Sequence, residues 1–551
     1  MIRSLSGEAS DAVIAADVAV IGGGPVGIVA ALTLVAYGLS VALIESGGRR
    51  PDPHLTFRLG AARVTGDPRF GVLEGRVQRG IGGTSWRWIV DLLGLGAGVR
   101  YAVMEPGVLD RRTPGAPSWP HTADDLRPWY RRALEVAGVE PDDDQLDPRP
   151  STLVPGLDHS AYMFGLASAY QFEHLAEQLA SPALTVLTDA TATALHHDAD
   201  GSTIRGVEVR DLDGHRAEVR AASVLMAAGT VDSTRLLLAT QRTSASLGGN
   251  TRIGRNLMDR PRLYGTLTMR HDPPDWLADY ALHRSGSHVR MHRWITAHDD
   301  ATAGMASTSF LPMPAHRIEA GRSRREMWAR SALIGAPADL LPRVTCRMPE
   351  ALAAPLHRAS LASYGWRSSW MRRMTRATYD TEWADWARDD EWRRERTWRI
   401  TAISEQVADD ANRITLADEV DELGVPRAHL EWGCPSSVTP AIHDSITRAA
   451  DAFASAGLGE VSWGDEQLAA VSSCHMMGTI AIGDDPSTSA ADPDGRVRGT
   501  DNLYVAGNAV IPQSGHANPT LVAMALAART ATVIATGGPG TAPAAADTLR
   551  A

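Results

Sequence analysis

The hydrophobic pattern of this chain switches between continuous apolar runs and mixed stretches. Residues 18–21 form a short run suited to a strand buried on both faces. GGGPVG follows at 22–27, then an apolar helical stretch to about residue 37 and a second run at 41–44 that ends on Glu45. Strand, glycine turn, helix, strand and acid in that order predict a doubly wound α/β domain that binds a dinucleotide. Gly22 suits the tight turn, Gly24 the approach of a pyrophosphate to the backbone, Gly27 the packing of helix on strand, and Glu45 the hydroxyls of a ribose. Two or three strands alternate over 184–209, with a break at Thr188-Asp189 and a hairpin signal at 198–202. Residues 224–230 read as another buried strand, ending in Gly229 before a helix at 231–239. A strand at 502–507 and a long apolar helix at 519–535 close the chain. The helix expected at 123–139 is amphipathic and reads as a solvated surface element. A sheet is expected after residues 412–416, and then a helix at 440–456. Residues 1–16 read as a mobile leader and the tail 537–551 as disordered.

Composition narrows the chemistry. With a net charge of −11, the chain lacks the cationic excess that drives nonspecific nucleic-acid binding. None of its 54 basic residues is lysine, which excludes a Schiff-base lysine and a phosphate-loop lysine. Three cysteines, Cys346, Cys434 and Cys474, fit neither a disulfide framework nor a metal-ligand spacing, so no metal is expected and a reducing, cytoplasmic setting is. Residues 26–44 are uncharged over about the length of a membrane span, but Gly38-Leu39-Ser40 divides them into helix, turn and strand; no integral span is expected. The Trp/Arg-rich stretch around 320–400, with Trp328, Trp366, Trp370, Trp383, Trp386, Trp392 and Trp398, reads as a cap over a substrate or a subunit interface, compatible with a homo-oligomer, with a plain amphipathic surface or a membrane-surface helix as the alternatives.

Two further segments carry candidate chemistry. RGIGGTSWRW at 79–88 lets the backbone pass close to a large planar or anionic ligand. Near the end, CHMMGT holds His475 and SGHANPT holds His516 and Asn518. With these stand VLMAAGTVDSTRLLL, IGRNLMDRP and NRITLADEVDELGVPR; in order and spacing the chain resembles the glucose-methanol-choline (GMC) family of flavin oxidoreductases, and its bacterial pyranose- and glycoside-oxidising members most.

The resemblance implies a Rossmann-like FAD domain (15–100, 182–265 and 465–536) and an α+β substrate domain (101–181 and 266–464) whose antiparallel sheet floors the substrate chamber. It implies FAD against Gly22, Gly24, Pro25, Gly27, Glu45, Ser46, Arg79, Gly82, Gly83, Thr84, Ser85, Trp88, Ala192, Ala228, Gly229, Gly507, Asn508, Pro519 and Thr520. His475 becomes the base that takes a hydroxyl proton while hydride passes to the flavin. Asn518 becomes its hydrogen-bonding partner, and His516 the alternative base. Arg87 stands where covalent members present a histidine, so noncovalent FAD is expected. Two other departures, Arg260 after IGRNLMD and Ala481-Ile482-Gly483 after CHMMGT, bear on the substrate. The implied substrate is a small-molecule alcohol, a sugar, glycoside or sugar-bearing natural product, with O2 or another electron acceptor. An aminosugar or aromatic glycoside would suit the acidic composition and the tryptophans. The alternatives are a lyase in which FAD is structural, and oxidation of a sterol or polyketide alcohol.

Overall fold

The computed structural model describes residues 1–66, 77–87, 97–166, 168–286, 288–297, 305–316, 386–388, 390–433, 439–464, 471–472 and 475–538. The strand Ala12–Ile21 runs parallel to Val41–Ile44 on one side and to Arg216–Met226 on the other, and Leu503–Val505 also joins Arg216–Met226 in parallel. Arg216–Met226, Ile204–Arg210 and Thr191–His197 form an antiparallel meander at one edge. Gly24 is the N-cap of the helix Pro25–Ala36, with Pro25 in the first turn, where its missing N–H and fixed φ cost nothing. That helix packs on Pro519–Thr536, which in turn packs on Ala123–Val136.

Three sequence expectations change here. The leader is not loose: Ile2–Ser4 pairs in parallel with Leu184–Thr188, and the strand that follows starts at Ala12, so both ends of the 1–16 segment belong to the sheet. The helix Ala123–Val136 is not simply a surface element. Leu126, Trp129, Tyr130, Ala133 and Leu134 are buried, and their 3.6-residue stripe is what meets Pro519–Thr536. The segment 26–44 divides as expected. It is Pro519–Thr536 that is long and apolar enough to cross a membrane, and 78% of it is buried, as in the core helix of a folded domain.

The second sheet is antiparallel and runs Gly459–Ser462, Pro261–Met269, Thr397–Ser404, Thr308–Pro314, His288–Thr296, Leu157–Leu166, Ala97–Tyr101. Its end strand Ala97–Tyr101 and its strand Pro261–Met269 fall largely within segments expected to belong to the nucleotide domain. A three-stranded sheet of Arg413–Val420, Pro426–Trp432 and Arg63–Gly66 lies beside them. Trp386, Trp392 and Trp398 are buried in the core beneath the second sheet. Trp386 meets Trp392 and Trp398 edge to face at 5.3 and 5.0 Å, so these three pack the domain rather than cap it. Trp328, Trp366, Trp370 and Trp383, the three cysteines and the tail from 539 lie outside the described residues.

Candidate active site

The two glycine-rich segments meet. Gly82 N donates to Gly23 O at 2.8 Å, and a Cβ on Gly83 would stand 3.1 Å from Gly24 Cα. Glu45 joins them: its carboxylate accepts from the amides of Gly23 (2.8 Å), Gly47 (2.9 Å) and Gly80 (2.8 Å). Burial pushes this carboxyl's pKa up, against the pull of those amides and of Arg79. Glu45 thus holds the loops together, with one lone pair, on Oε2, left for a ribose hydroxyl. A Cβ on Gly27 would meet Gly22 O at 1.8 Å, and one on Gly22 (φ +112°) would meet Ala227 O at 2.6 Å and Ala228 Cα at 2.8 Å. At Gly24, by contrast, nothing lies within 4 Å of a Cβ. The open side of the turn therefore sits at the amino terminus of Pro25–Ala36, where helix amides have no partner within the helix. These residues fit a dinucleotide phosphate.

The other expected contacts fall around this turn. Gly507 (φ +108°) faces Val26, and its neighbour Asn508 accepts from Gly478 N at 3.1 Å, tying the turn to the His475 segment. Ser46 Oγ bonds Thr191 Oγ1 at 2.7 Å, beside Ala192. Ser85 Oγ donates to Gly82 O at 2.7 Å next to Thr84. Arg79 is committed elsewhere. It pairs with Asp232 at 2.9 Å, in the first turn of the helix Gly229–Gln241, and works as a strut. Trp88 lies outside the described residues.

His475 and Asn518 come together. Asn518 is the N-cap of Pro519–Thr536, yet its side chain makes no capping bond; its Nδ2 lies 3.2 Å from His475 Nε2. The His475 backbone is fixed from below. Met258 and Met477 exchange two backbone hydrogen bonds of 3.0 Å, and Asp259 Oδ1 accepts from His475 N at 2.8 Å and Arg260 N at 2.7 Å. Arg260 Nη2 reaches His475 Nδ1 at 3.0 Å while Nη1 donates to His516 O. A guanidinium and an amide Nδ2 both only donate, and a neutral imidazole has a single acceptor nitrogen, so Arg260 at Nδ1 and Asn518 at Nε2 compete for it. For Nε2 to accept, the ring carries its proton on Nδ1, with Arg260 drawn away from that nitrogen.

His516 is placed differently. It is fully buried; Arg293 Nη2 donates to its Nε2 at 2.8 Å, and its Nδ1 lies 2.7 Å from Glu105 Oε2 and 3.1 Å from Ser307 Oγ. Burial lowers its pKa to about 4 against the opposing pull of Glu105, with Arg293 adding to the lowering. Both ring nitrogens are taken by protein groups, which makes His516 a brace for the loop that carries Asn518.

Sequence reading did not anticipate the cations around this pair. Arg100 Nη1 reaches Asn518 Oδ1 at 3.5 Å; Arg100 and Arg293 lie over the Tyr162 ring, 4.8 and 3.6 Å from its centroid. Burial raises the Tyr162 phenol's pKa, but Arg293, Arg100 and Arg260 lower it more, to about 7. The available signal was parity: residues 260 and 262 are both arginine and share a face.

Residues 408–527, which hold His475, His516 and Asn518, match the family model described as GMC oxidoreductase. The carboxyl-terminal part of this chain is that of a GMC oxidoreductase. Among curated proteins, this chain is similar to paromamine 6'-oxidase of Streptomyces fradiae, 34% identical over 127 residues, 22% of this chain and 23% of that protein. It is also similar to C-glycoside 3-oxidase of Microbacterium trichothecenolyticum, 33% over 130 residues, 23% and 24% of the two chains. Pyranose 2-oxidase of Tricholoma matsutake is 43% identical over 60 residues, 11% of either chain. The matched stretches thus span less than a quarter of these relatives' length. The fold likeness covers nearly everything: formate oxidase aligns with a TM-score of 0.50 at 14% identity, over 96% of this chain and 99% of that one. A variant of the Aspergillus oryzae formate oxidase gives 0.51 at 13%, with the same coverage. The fold of formate oxidase, here a doubly wound sheet with a second, antiparallel sheet, is therefore shared by nearly the whole chain.

Proposed function

We propose that this chain binds FAD without a covalent link and oxidises a hydroxyl of a sugar, glycoside or sugar-bearing natural product to a carbonyl. The observation that carries the reading is the meeting of His475 and Asn518, 3.2 Å apart, at the amino terminus of Pro519–Thr536. When bound, FAD supplies the hydride acceptor. The protein's part is to hold and move the proton. Asn518 positions the substrate oxygen beside Nε2, Asp259 fixes the His475 backbone, and the imidazole takes the hydroxyl proton. The turn at Gly22–Gly27 and the loop at 79–85 would hold the cofactor. Oxygen or another acceptor reoxidises the enzyme, and a cytoplasmic location is part of the same reading.

Anaerobic mixing with a panel of sugars, glycosides and simple alcohols tests it. A substrate of this enzyme bleaches the flavin absorbance, and His475→Ala slows bleaching by about 100- to 10,000-fold while flavin stays bound. A lyase with structural FAD would consume its substrate without bleaching. Acid precipitation should release yellow flavin into the supernatant; colour retained in the pellet would contradict the noncovalent link.

A further inference from the structure

Four arginines gather near His475: Arg260, whose Nη2 reaches the ring; Arg262, whose charge acts on Arg260 and Arg100; and Arg100 and Arg293, which lie over Tyr162. The carboxylates among them are Asp259, engaged with two backbone amides, and Glu105, engaged with Ser307 and His516. The cluster therefore carries an excess of positive charge where water is scarce, and burial with mutual repulsion drives Arg100 down to about 9 and Arg260 to about 10. Buried charges are normally paired. Here Arg260 and Arg293 are both 0% exposed, yet Nε of Arg260 and Nε and Nη1 of Arg293 have no hydrogen-bond partner among the described residues. The buried Nε of Arg262 has none either. Tyr162, under Arg293 and Arg100, keeps those two forks in place by its ring face. A planar fork with spare donors matches a carboxylate or a phosphate, whose two oxygens accept side by side.

We infer that the alcohol this enzyme oxidises carries an anionic group, a carboxylate in the first instance, which docks on Arg260 and Arg262 while its hydroxyl lies at His475 and Asn518. This rests on the proposed alcohol oxidation and names its substrate class: hydroxy acids of the uronic type rather than aminosugars, whose ammonium groups would face the same arginines. An anion here also draws Arg260 off His475 Nδ1, the release the ring needs before Nε2 can accept a proton. A neutral alcohol exerts no such pull.

Matched pairs test it: methyl glucuronide against methyl glucoside, galacturonate against galactose, and glucosamine as the cation. The acid of each pair should bleach the flavin with a kcat/KM about 10- to 100-fold above its neutral partner, the worth of one charge-assisted fork contact. Arg262→Gln, at a side chain whose Nε has no hydrogen-bond partner among the described residues, should abolish that preference by raising KM for the acids about 10- to 100-fold, with a smaller effect on kcat. Calorimetric titration with cyclohexanecarboxylate supplies a readout without turnover: binding to wild type, none to Arg262→Gln, none for cyclohexylmethanol. If neutral sugars or glucosamine bleach the flavin as well as the acids, the inference fails and alcohol oxidation stands. If Arg262→Gln slows all substrates equally and shifts the flavin midpoint potential, the arginines serve the reduced cofactor and the inference is again wrong. Turnover of the panel without bleaching would instead remove the oxidation reading itself.

Discussion

Replacing His516 by leucine separates bracing from catalysis. The change keeps side-chain bulk but strips Glu105 of the nitrogen 2.7 Å away and Arg293 of its 2.8 Å acceptor, both in a site without solvent. Breaking one partner out of a buried charged network costs about 3–5 kcal/mol. The cost depends on pH, and its sign follows from the direction of the shift. The native ring has a pKa of about 4, below the ordinary 6.5, so between these values the unfolded chain binds a proton that the native ring refuses. His516 therefore stabilises fully above pH 6.5 and loses its contribution as pH falls toward 4. At about 1.4 kcal/mol per unit, that is roughly 3 kcal/mol. His121 and His292 are also lowered to about 4, by burial first, but they titrate alike in both proteins and cancel in the difference. Urea unfolding of holoenzyme, followed by tryptophan fluorescence at pH 7.5 and 4.5, should show the gap between wild type and His516→Leu shrink from about 4 to about 1–2 kcal/mol. A gap that is constant with pH, or absent at pH 7.5, would refute the placement of His516 as a neutral buried brace.

Other expected outcomes follow from single contacts. Gly24→Ala, with open space for its methyl, should leave the fold intact but raise the cofactor dissociation constant, read by flavin fluorescence on dilution, because the methyl enters the phosphate site. Gly27→Ala drives a Cβ to 1.8 Å from Gly22 O and should cost about 3 kcal/mol, measured by urea midpoint, along with the bound flavin. Asp259→Ala frees the His475 and Arg260 amides and should lower the rate of flavin reduction about 100-fold by loosening the base, with flavin content unchanged. Trp392→Ala, at 1% exposure against Trp386, should destabilise by about 3–5 kcal/mol without altering the flavin spectrum.

What could be read from sequence divides along physical lines. The nucleotide turn was legible because its glycines are forced by contacts within a few residues and against one strand, as at Gly22 and Gly27. The meeting of His475 and Asn518 was legible only through family resemblance; nothing in the spacing itself brings residues 475 and 518 within 3.2 Å. The Glu105–His516–Arg293 brace joins three distant segments, and no local pattern encodes it. The sequence order of the tryptophans suggested a surface cap, while their burial at 386, 392 and 398 depends on the sheet laid over them. The mobile-leader expectation failed because a short polar segment gives no period, and its strand exists only through pairing with Leu184–Thr188.

The most direct test of the central claim is anaerobic single-turnover mixing of the flavin-loaded protein with a substrate from the panel, monitored at the flavin absorption band, in wild type and in His475→Ala. Bleaching is expected to be fast in wild type, slower by at least about 100-fold in the variant, and accompanied by one carbonyl product per flavin. Equal bleaching rates in both proteins would contradict that claim.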